Sequence, residues 1–191
     1  MAVEDKEKWN KKYENTPELL SNRAQSNKLS NVIKHAKGIE ALDVACGSGR
    51  NSIYLANNDF KVTSIDISEV ALDTLNKKNN PNINTKLVDL DTYSFDENRY
   101  DLIIMVNFLD REVIPKLTNS LKKDGILFIE TYMFHDENEK SPSNPDFLLK
   151  EGELKTLFNE KEVEILEYDE FFNESYELYK MRKQSIAIRK K

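Results

Sequence analysis

The sequence predicts an α/β fold, a doubly wound sheet of seven mostly parallel strands in a single domain, and three observations lead there. The first is a strand–turn–helix unit at 41–56, where the apolar run ALDVA breaks at Gly47 and Gly49 and passes directly into NSIYLA. The second is the alternation of short apolar runs with amphipathic ones along the chain, the signature of a sheet with helices on its faces. The third is RYDLIIMVNFLD at 99–110, whose near-continuous Leu, Ile and Val describe a strand covered on both sides.

Taken in order, residues 1–16 are highly charged, and Trp9 and Tyr13 stand four apart, sharing a face if the segment is helical. The expectation is a helical lid over a ligand. Leu19, Leu20, Leu29, Val32 and Ile33 then suggest a helix toward the end of 17–37, closed by Gly38 as its C-cap. After the glycine turn comes FKVTSIDIS, a second strand ending in Asp66, followed by a helix at 69–79 with Ser68 as N-cap and Glu69 in its first turn. A third strand is expected at 85–88, followed by Asp89 and Leu90. The fourth emerges at Val106, Asn107 and Phe108, the carboxyl edge where ligands bind in such sheets. A helix at 111–122, a turn at KKDG and a fifth strand at 126–130 follow, with Tyr132, Phe134 and His135 beyond its end. The connection 132–152, with Pro142 and Pro145, is long enough to be a lid or substrate loop. ELKTLFN then reads as a short helix, VEILEYDEFF as a sixth strand and QSIAIRK as a seventh, with antiparallel pairing among the last strands. The expected division is a lid segment at 1–37, a cofactor-binding core at 38–131, and a substrate loop with the last strands at 132–191.

Composition narrows the function. A chain of 191 residues is suited to one domain with a real core. A net charge of −6, from 28 basic and 34 acidic residues, argues against the basic footprint that nucleic-acid binding uses. The single cysteine, Cys46, forms no intrachain disulfide and reads as a small buried residue beside the turn. MAVEDKEKW lacks the apolar core of a signal peptide, and the longest apolar run, 102–106, is too short to span a bilayer. A cytoplasmic protein without a membrane partner is expected.

The glycine turn is the centre of the chemistry. Strand, glycine turn and helix together present backbone N–H groups to a nucleotide-like ligand, with Asn51 and Ser52 in the opening turn of the helix. The third glycine of a dinucleotide fingerprint is replaced by Ser52, and a carboxylate at Asp43 would repel a pyrophosphate. An acid there suits a cationic ligand such as the ammonium and sulfonium of S-adenosylmethionine. Asp66, 17 residues beyond Gly49, stands where a carboxylate accepts from a ribose diol. Its side chain is expected to leave the sheet at its edge, so that Asp66→Ala weakens cofactor binding and leaves folding nearly unaffected. Asp89 is placed to accept from an adenine amino group. His135 and Tyr132 are the catalytic candidates, His135 as a base, whereas His35 reads as structural. Trp9, Tyr13 and Tyr132 offer π faces to a positive charge. Arg23, Arg50 and Arg111 are alternative partners for a carboxylate or an anionic substrate. No metal site is expected.

Asp43, Gly47 and Gly49 in the pattern D-x-x-x-G-x-G resemble the first motif of the class I S-adenosylmethionine-dependent methyltransferases. Within that group, LDVACGSGRNSIYLA, NFLDR and SPSNPDFLLKEGEL resemble the tellurite-resistance-type, TehB-like subgroup. The resemblance implies S-adenosylmethionine as cofactor, methyl transfer to a small-molecule acceptor, and strand order 3-2-1-4-5-7-6. It makes Asp43, Ala45, Gly47 and Gly49 contacts to the methionine end, and Asp66 and Ile67 contacts to ribose and adenine. Asp89 and Leu90 become adenine contacts, and Val106 and Asn107 backbone partners near the sulfonium. Trp9, Cys46 and Asn51 complete the cofactor-binding candidates. The chain departs from the subgroup after strand five, the region that selects substrate. A non-catalytic S-adenosylmethionine-binding module and an NAD-dependent oxidoreductase are the competing readings, the second disfavoured by Ser52 and Asp43.

Overall fold

A computed structural model describes residues 2–21, 23–142, 144–173 and 179–191. Its centre is a seven-stranded sheet made by β1 (Glu40–Val44), β2 (Lys61–Asp66), β3 (Ile83–Leu87), β4 (Tyr100–Val106), β5 (Leu121–Tyr132), β6 (Val163–Phe172) and β7 (Arg182–Lys190). Their order across the sheet is β3-β2-β1-β4-β5-β7-β6. Strands β1 to β5 pair in parallel, while β7 lies antiparallel to both β5 and β6, so β6 runs with the parallel set. The helices are α1 (Ala2–Asn15), α2 (Leu29–Val32), α3 (Arg50–Ala56), α4 (Glu69–Asn76), α5 (Val113–Ser120) and α6 (Glu153–Thr156). No helix among the described residues is long and apolar enough to cross a membrane.

Alternation along β4 divides its side chains between two cores. Leu102, Ile104 and Val106 pack with Leu29, Val32, Leu55 and Phe128. Ile103 and Met105 join Val113, Ile114, Leu117 and Leu127 in the other core. Each such buried side chain contributes about 1.5–3 kcal/mol, so the middle of the sheet is its most stable part and its carboxyl edge rests on a rigid floor.

Several expectations shift at their boundaries. The helix toward the end of 17–37 reduces to a 3₁₀ turn at Pro17–Leu20, the single turn of α2, and a second 3₁₀ turn at Ile33–His35. Gly38 is not a C-cap. A Cβ there would stand 2.4 Å from the Asp101 carboxylate, which accepts from the Glu40 N–H (3.0 Å) and from Lys122 (2.9 Å). The glycine therefore makes room for an ion pair. Strand β3 begins two residues earlier than expected and β5 five residues earlier. In β5 the KKDG segment stays within the strand, with Asp124 at φ 64 and a register shift against β4 between Tyr100 and Leu102. His35 pairs with Glu167 of β6 at 2.8 Å, a structural bond that ties its 3₁₀ turn to the sheet edge.

Candidate cofactor and acceptor site

Between β1 and β4 the strand order reverses, and the chain leaves both strands in the left-handed region: Ala45 has φ 52 and Asn107 φ 60. Neither is a glycine, and such residues cost roughly 1–3 kcal/mol each, a strain that concentrates where a ligand is held. The crevice at this reversal is the expected binding position in an open α/β sheet. Gly47 (φ 56) and Gly49 (φ 80) complete the turn into α3. Gly49 is required twice over, because a Cβ there would lie 2.4 Å from Leu75 of α4.

Asp66 closes the turn from below. Its two oxygens accept the N–H groups of Gly47 and Ser68, both at 2.8 Å. Only 8% of the residue is exposed, and burial raises its pKa, opposed by those backbone bonds. The expectation that this side chain stands clear of the fold is therefore corrected: it organises the turn. Each oxygen still has a lone pair beyond the bond it accepts, so a diol can be received as well. Ser68 is the N-cap of α4, as expected, accepting from the Ala71 N–H and donating to Asn10 of α1 at 2.7 Å. Ile67 is half-buried beyond β2. Asp89 forms a tight turn after β3, its carboxylate accepting from the Asp91 N–H at 3.1 Å, and Leu90 packs on the core beside Tyr93.

Asp43 lies beneath the turn at 2% exposure, where its Oδ2 accepts the Ser52 hydroxyl at 2.6 Å, and Ser64 donates in turn to Ser52 at 2.8 Å. Burial pushes its pKa up to about 7, against the Ser52 hydrogen bond and with the charge of Asp66 adding to the rise. Ser52, which breaks the dinucleotide fingerprint, is thus the partner of the acid in β1. Burial likewise pushes the Cys46 thiol well above its ordinary value, with the charges of Asp43 and Asp66 contributing. Asn51 is buried in the first turn of α3, and its Oδ1 accepts the Ser26 N–H at 3.1 Å.

Helix α1 covers the turn. Lys6 pairs with Glu69 at 2.6 Å, Asn10 meets Ser68, and the Tyr13 hydroxyl stands 2.8 Å from where a Cβ on Gly47 would project. Trp9 and Tyr13 share a face at 5.9 Å between ring centroids, with Lys12 over the Trp9 ring at 4.3 Å. The Tyr13 phenol is held in its neutral form by burial and by the negative charge of Asp66, with Arg23 acting in the opposite direction.

The three arginines separate. Arg111 donates to Glu153 Oε1 (2.6 Å) and to the carbonyls of Asp146 (2.6 Å) and Leu148 (3.1 Å), clamping the loop before α6. Arg50 donates to the Ala24 carbonyl at 2.9 Å. Arg23 carries a buried Nε with no hydrogen-bond partner among the described residues, and so does the Oδ1 of Asn107. Arg23 thus offers an unmatched buried donor, and Asn107, just past the end of β4, an unmatched buried acceptor.

At the carboxyl end of β5, Tyr132 is half-buried with Lys183 at 5.1 Å over its ring. His135 meets the Phe172 ring edge-on at 5.2 Å, and its Nδ1 accepts the Glu137 N–H at 3.2 Å. With Nδ1 occupied in this way, its use as a base requires release of the Glu137 N–H. Sequence reasoning missed the buried Glu130, Lys183 and Ser26. The one available signal was an acid, Glu130, inside the apolar run ILFIET.

The sheet order, the glycine turn after β1 and the acid ending β2 define a Rossmann-like methyltransferase fold. The family model described as Tellurite resistance protein TehB matches residues 1–191, and the chain belongs to that family. It is 34% identical over 168 residues to the Haemophilus influenzae protein named "Probable S-adenosyl-L-methionine-dependent methyltransferase TehB", a match covering 80% of this chain and 57% of that protein. The crystal structure of TehB from Haemophilus influenzae superposes with a TM-score of 0.74 at 29% identity, covering 92% of this chain and 65% of that one. The chain thus spans less than two thirds of the length of either. The [4+2]-cyclase SpnF shares the fold at a TM-score of 0.71 and 16% identity, covering 97% of this chain and 96% of its own. The fold alone therefore does not specify the reaction.

Proposed function

We propose that this chain binds S-adenosylmethionine in the crevice between β1 and β4 and transfers its methyl group to a small-molecule acceptor. The observation that carries the reading is a set of polar groups with unused bonding capacity on the glycine turn, at the exit of β4 and on the segment before α2. Asp66 has lone pairs for the ribose diol, Asn107 Oδ1 an unmet acceptor for the ammonium, and Arg23 Nε an unmet donor for the carboxylate. Asp89, Ile67 and Leu90 would frame the adenine, and Ala45, Cys46, Gly47 and Val106 would line the methionine end with their backbones. Asp43 and Asn51 act one layer back, fixing Ser52 and the segment at Ser26.

Bound there, the cofactor supplies a methyl group already activated by its sulfonium. What remains to the chain is orientation and the exclusion of water. Helix α1 provides the cover, with the neutral Tyr13 phenol as a hydrogen-bond donor over Gly47. Keeping the Cys46 thiol protonated prevents it from competing for the methyl group. Tyr132 and His135 stand on the acceptor side, at the carboxyl end of β5 and just beyond it. A cytoplasmic location goes with this reading and is checked by cell fractionation.

The test is an assay with S-adenosylmethionine labelled in its methyl group, over thiols, phenols, amines and tellurite. Label appearing in one acceptor class is expected. Tight binding of S-adenosylhomocysteine with no transfer to any class would instead favour a non-catalytic binding module.

A further inference from the structure

Four buried polar side chains from four separate stretches meet beside the crevice. Ser26, Asn51, Glu130 and Lys183 are 2%, 5%, 4% and 1% exposed. The Ser26 hydroxyl donates to Glu130 Oε2 at 2.5 Å, its N–H donates to Asn51 Oδ1 at 3.1 Å, and Lys183 Nζ donates to Glu130 Oε1 at 3.1 Å. The Asn107 N–H, at the ligand-facing end of β4, donates to the Glu130 carbonyl at 2.7 Å. A buried ion pair of this kind is weak as a source of stability, since desolvation of both charges offsets most of their attraction. Its value here lies in what it fixes.

What it fixes is segment 23–28, the path from the lid to α2. Arg50, the first residue of α3, donates to the Ala24 carbonyl (2.9 Å) and so holds one side of this path, while Ser48 of the glycine turn donates to the Leu19 carbonyl upstream of it (3.3 Å). Ser26 holds the other, on Glu130. Arg23 lies three residues before Ser26, with its buried Nε unmatched and its charge acting on Tyr13 above Gly47.

Building on the cofactor reading above, we propose that Ser26, anchored by the Glu130–Lys183 pair, is a positioning residue that sets Arg23 against the carboxylate of the cofactor's amino-acid end. Neither Ser26 nor Glu130 touches the reacting atoms. Their effect is confined to ligands that carry that carboxylate.

Two ligands separate this from a general structural role. S-adenosylhomocysteine has the amino-acid end, while 5′-methylthioadenosine keeps the adenosine and sulfur without it. Both are titrated calorimetrically into the full chain and into Ser26→Ala, with melting curves of the free proteins alongside. Loss of a hydrogen bond to a charged group predicts a dissociation constant for S-adenosylhomocysteine raised about tenfold. That for 5′-methylthioadenosine should stay within about twofold. The double variant Glu130→Leu/Lys183→Met, which removes both charges and the acceptor of the Ser26 hydroxyl, should show the same selective loss, and it decides the matter if Ser26→Ala does not fold. Unchanged affinity for S-adenosylhomocysteine, or equal loss of both ligands, overturns the proposal. Failure of the unmodified chain to bind S-adenosylhomocysteine would instead overturn the cofactor reading, a separate outcome.

Discussion

Asp66 and Asp43, two acids 23 positions apart in sequence, divide the work of the glycine turn. Asp66 accepts two backbone N–H groups, so Asp66→Ala strands buried donors as well as losing a ligand contact. It should lower stability by about 1–3 kcal/mol and cofactor affinity by about 2–4 kcal/mol, on the order of 30- to 1000-fold. Urea melts and titration with S-adenosylhomocysteine measure the two separately; a variant with unaltered stability would mean that the turn does not depend on the carboxylate. Asp43 carries a pH dependence. Its ordinary value of 3.8 rises to about 7 in the folded chain, so the folded state holds this proton more tightly than the unfolded one. The cost of ionising it is absent below about pH 4, grows through the window between the two values and is complete above pH 7, at roughly 4 kcal/mol. Asp43→Asn removes that cost while still accepting from Ser52. Its melting temperature relative to the unmodified chain should therefore climb from pH 5 to pH 8. A difference independent of pH would show that Asp43 ionises freely.

Helix α1 is the element whose behaviour links fold to function. It rests on α4 through Lys6–Glu69 and Asn10–Ser68, and on the turn through Tyr13 and Gly47. These contacts are few and partly exposed, the kind that opens at low cost. Trp9 is the only tryptophan in the chain, so its emission reports this helix alone. Its emission should shift and its quenching by iodide should fall on saturation with S-adenosylhomocysteine. Identical emission and quenching with and without ligand would place α1 outside the site. The loop 144–153, in contrast, is pinned by Arg111 through three donated bonds.

At the scale of the molecule, the sheet was legible because apolar runs such as 102–106 and the unit at 41–56 are local signals. The run VEILEYDEFF coincides with β6 residue for residue. The 17–37 region was not legible, because Leu29 and Val32 are buried by tertiary packing on a single helical turn rather than by a long amphipathic helix. The site was legible wherever a residue type is tied to a backbone need, as at Gly47, Gly49 and the Ser68 cap. It was not legible where burial decides the role. Asp43 reads as a countercharge to a cationic ligand until it is seen buried beneath Ser52, and nothing local predicts that Glu130 and Lys183, 53 positions apart, will meet. The central claim is that the crevice between β1 and β4 holds S-adenosylmethionine. Calorimetric titration of the full chain with S-adenosylhomocysteine, and separately with NAD, tests it most directly. Saturable binding of S-adenosylhomocysteine at one site per chain, with no heat from NAD, is the predicted result. Binding of NAD without binding of S-adenosylhomocysteine would contradict it.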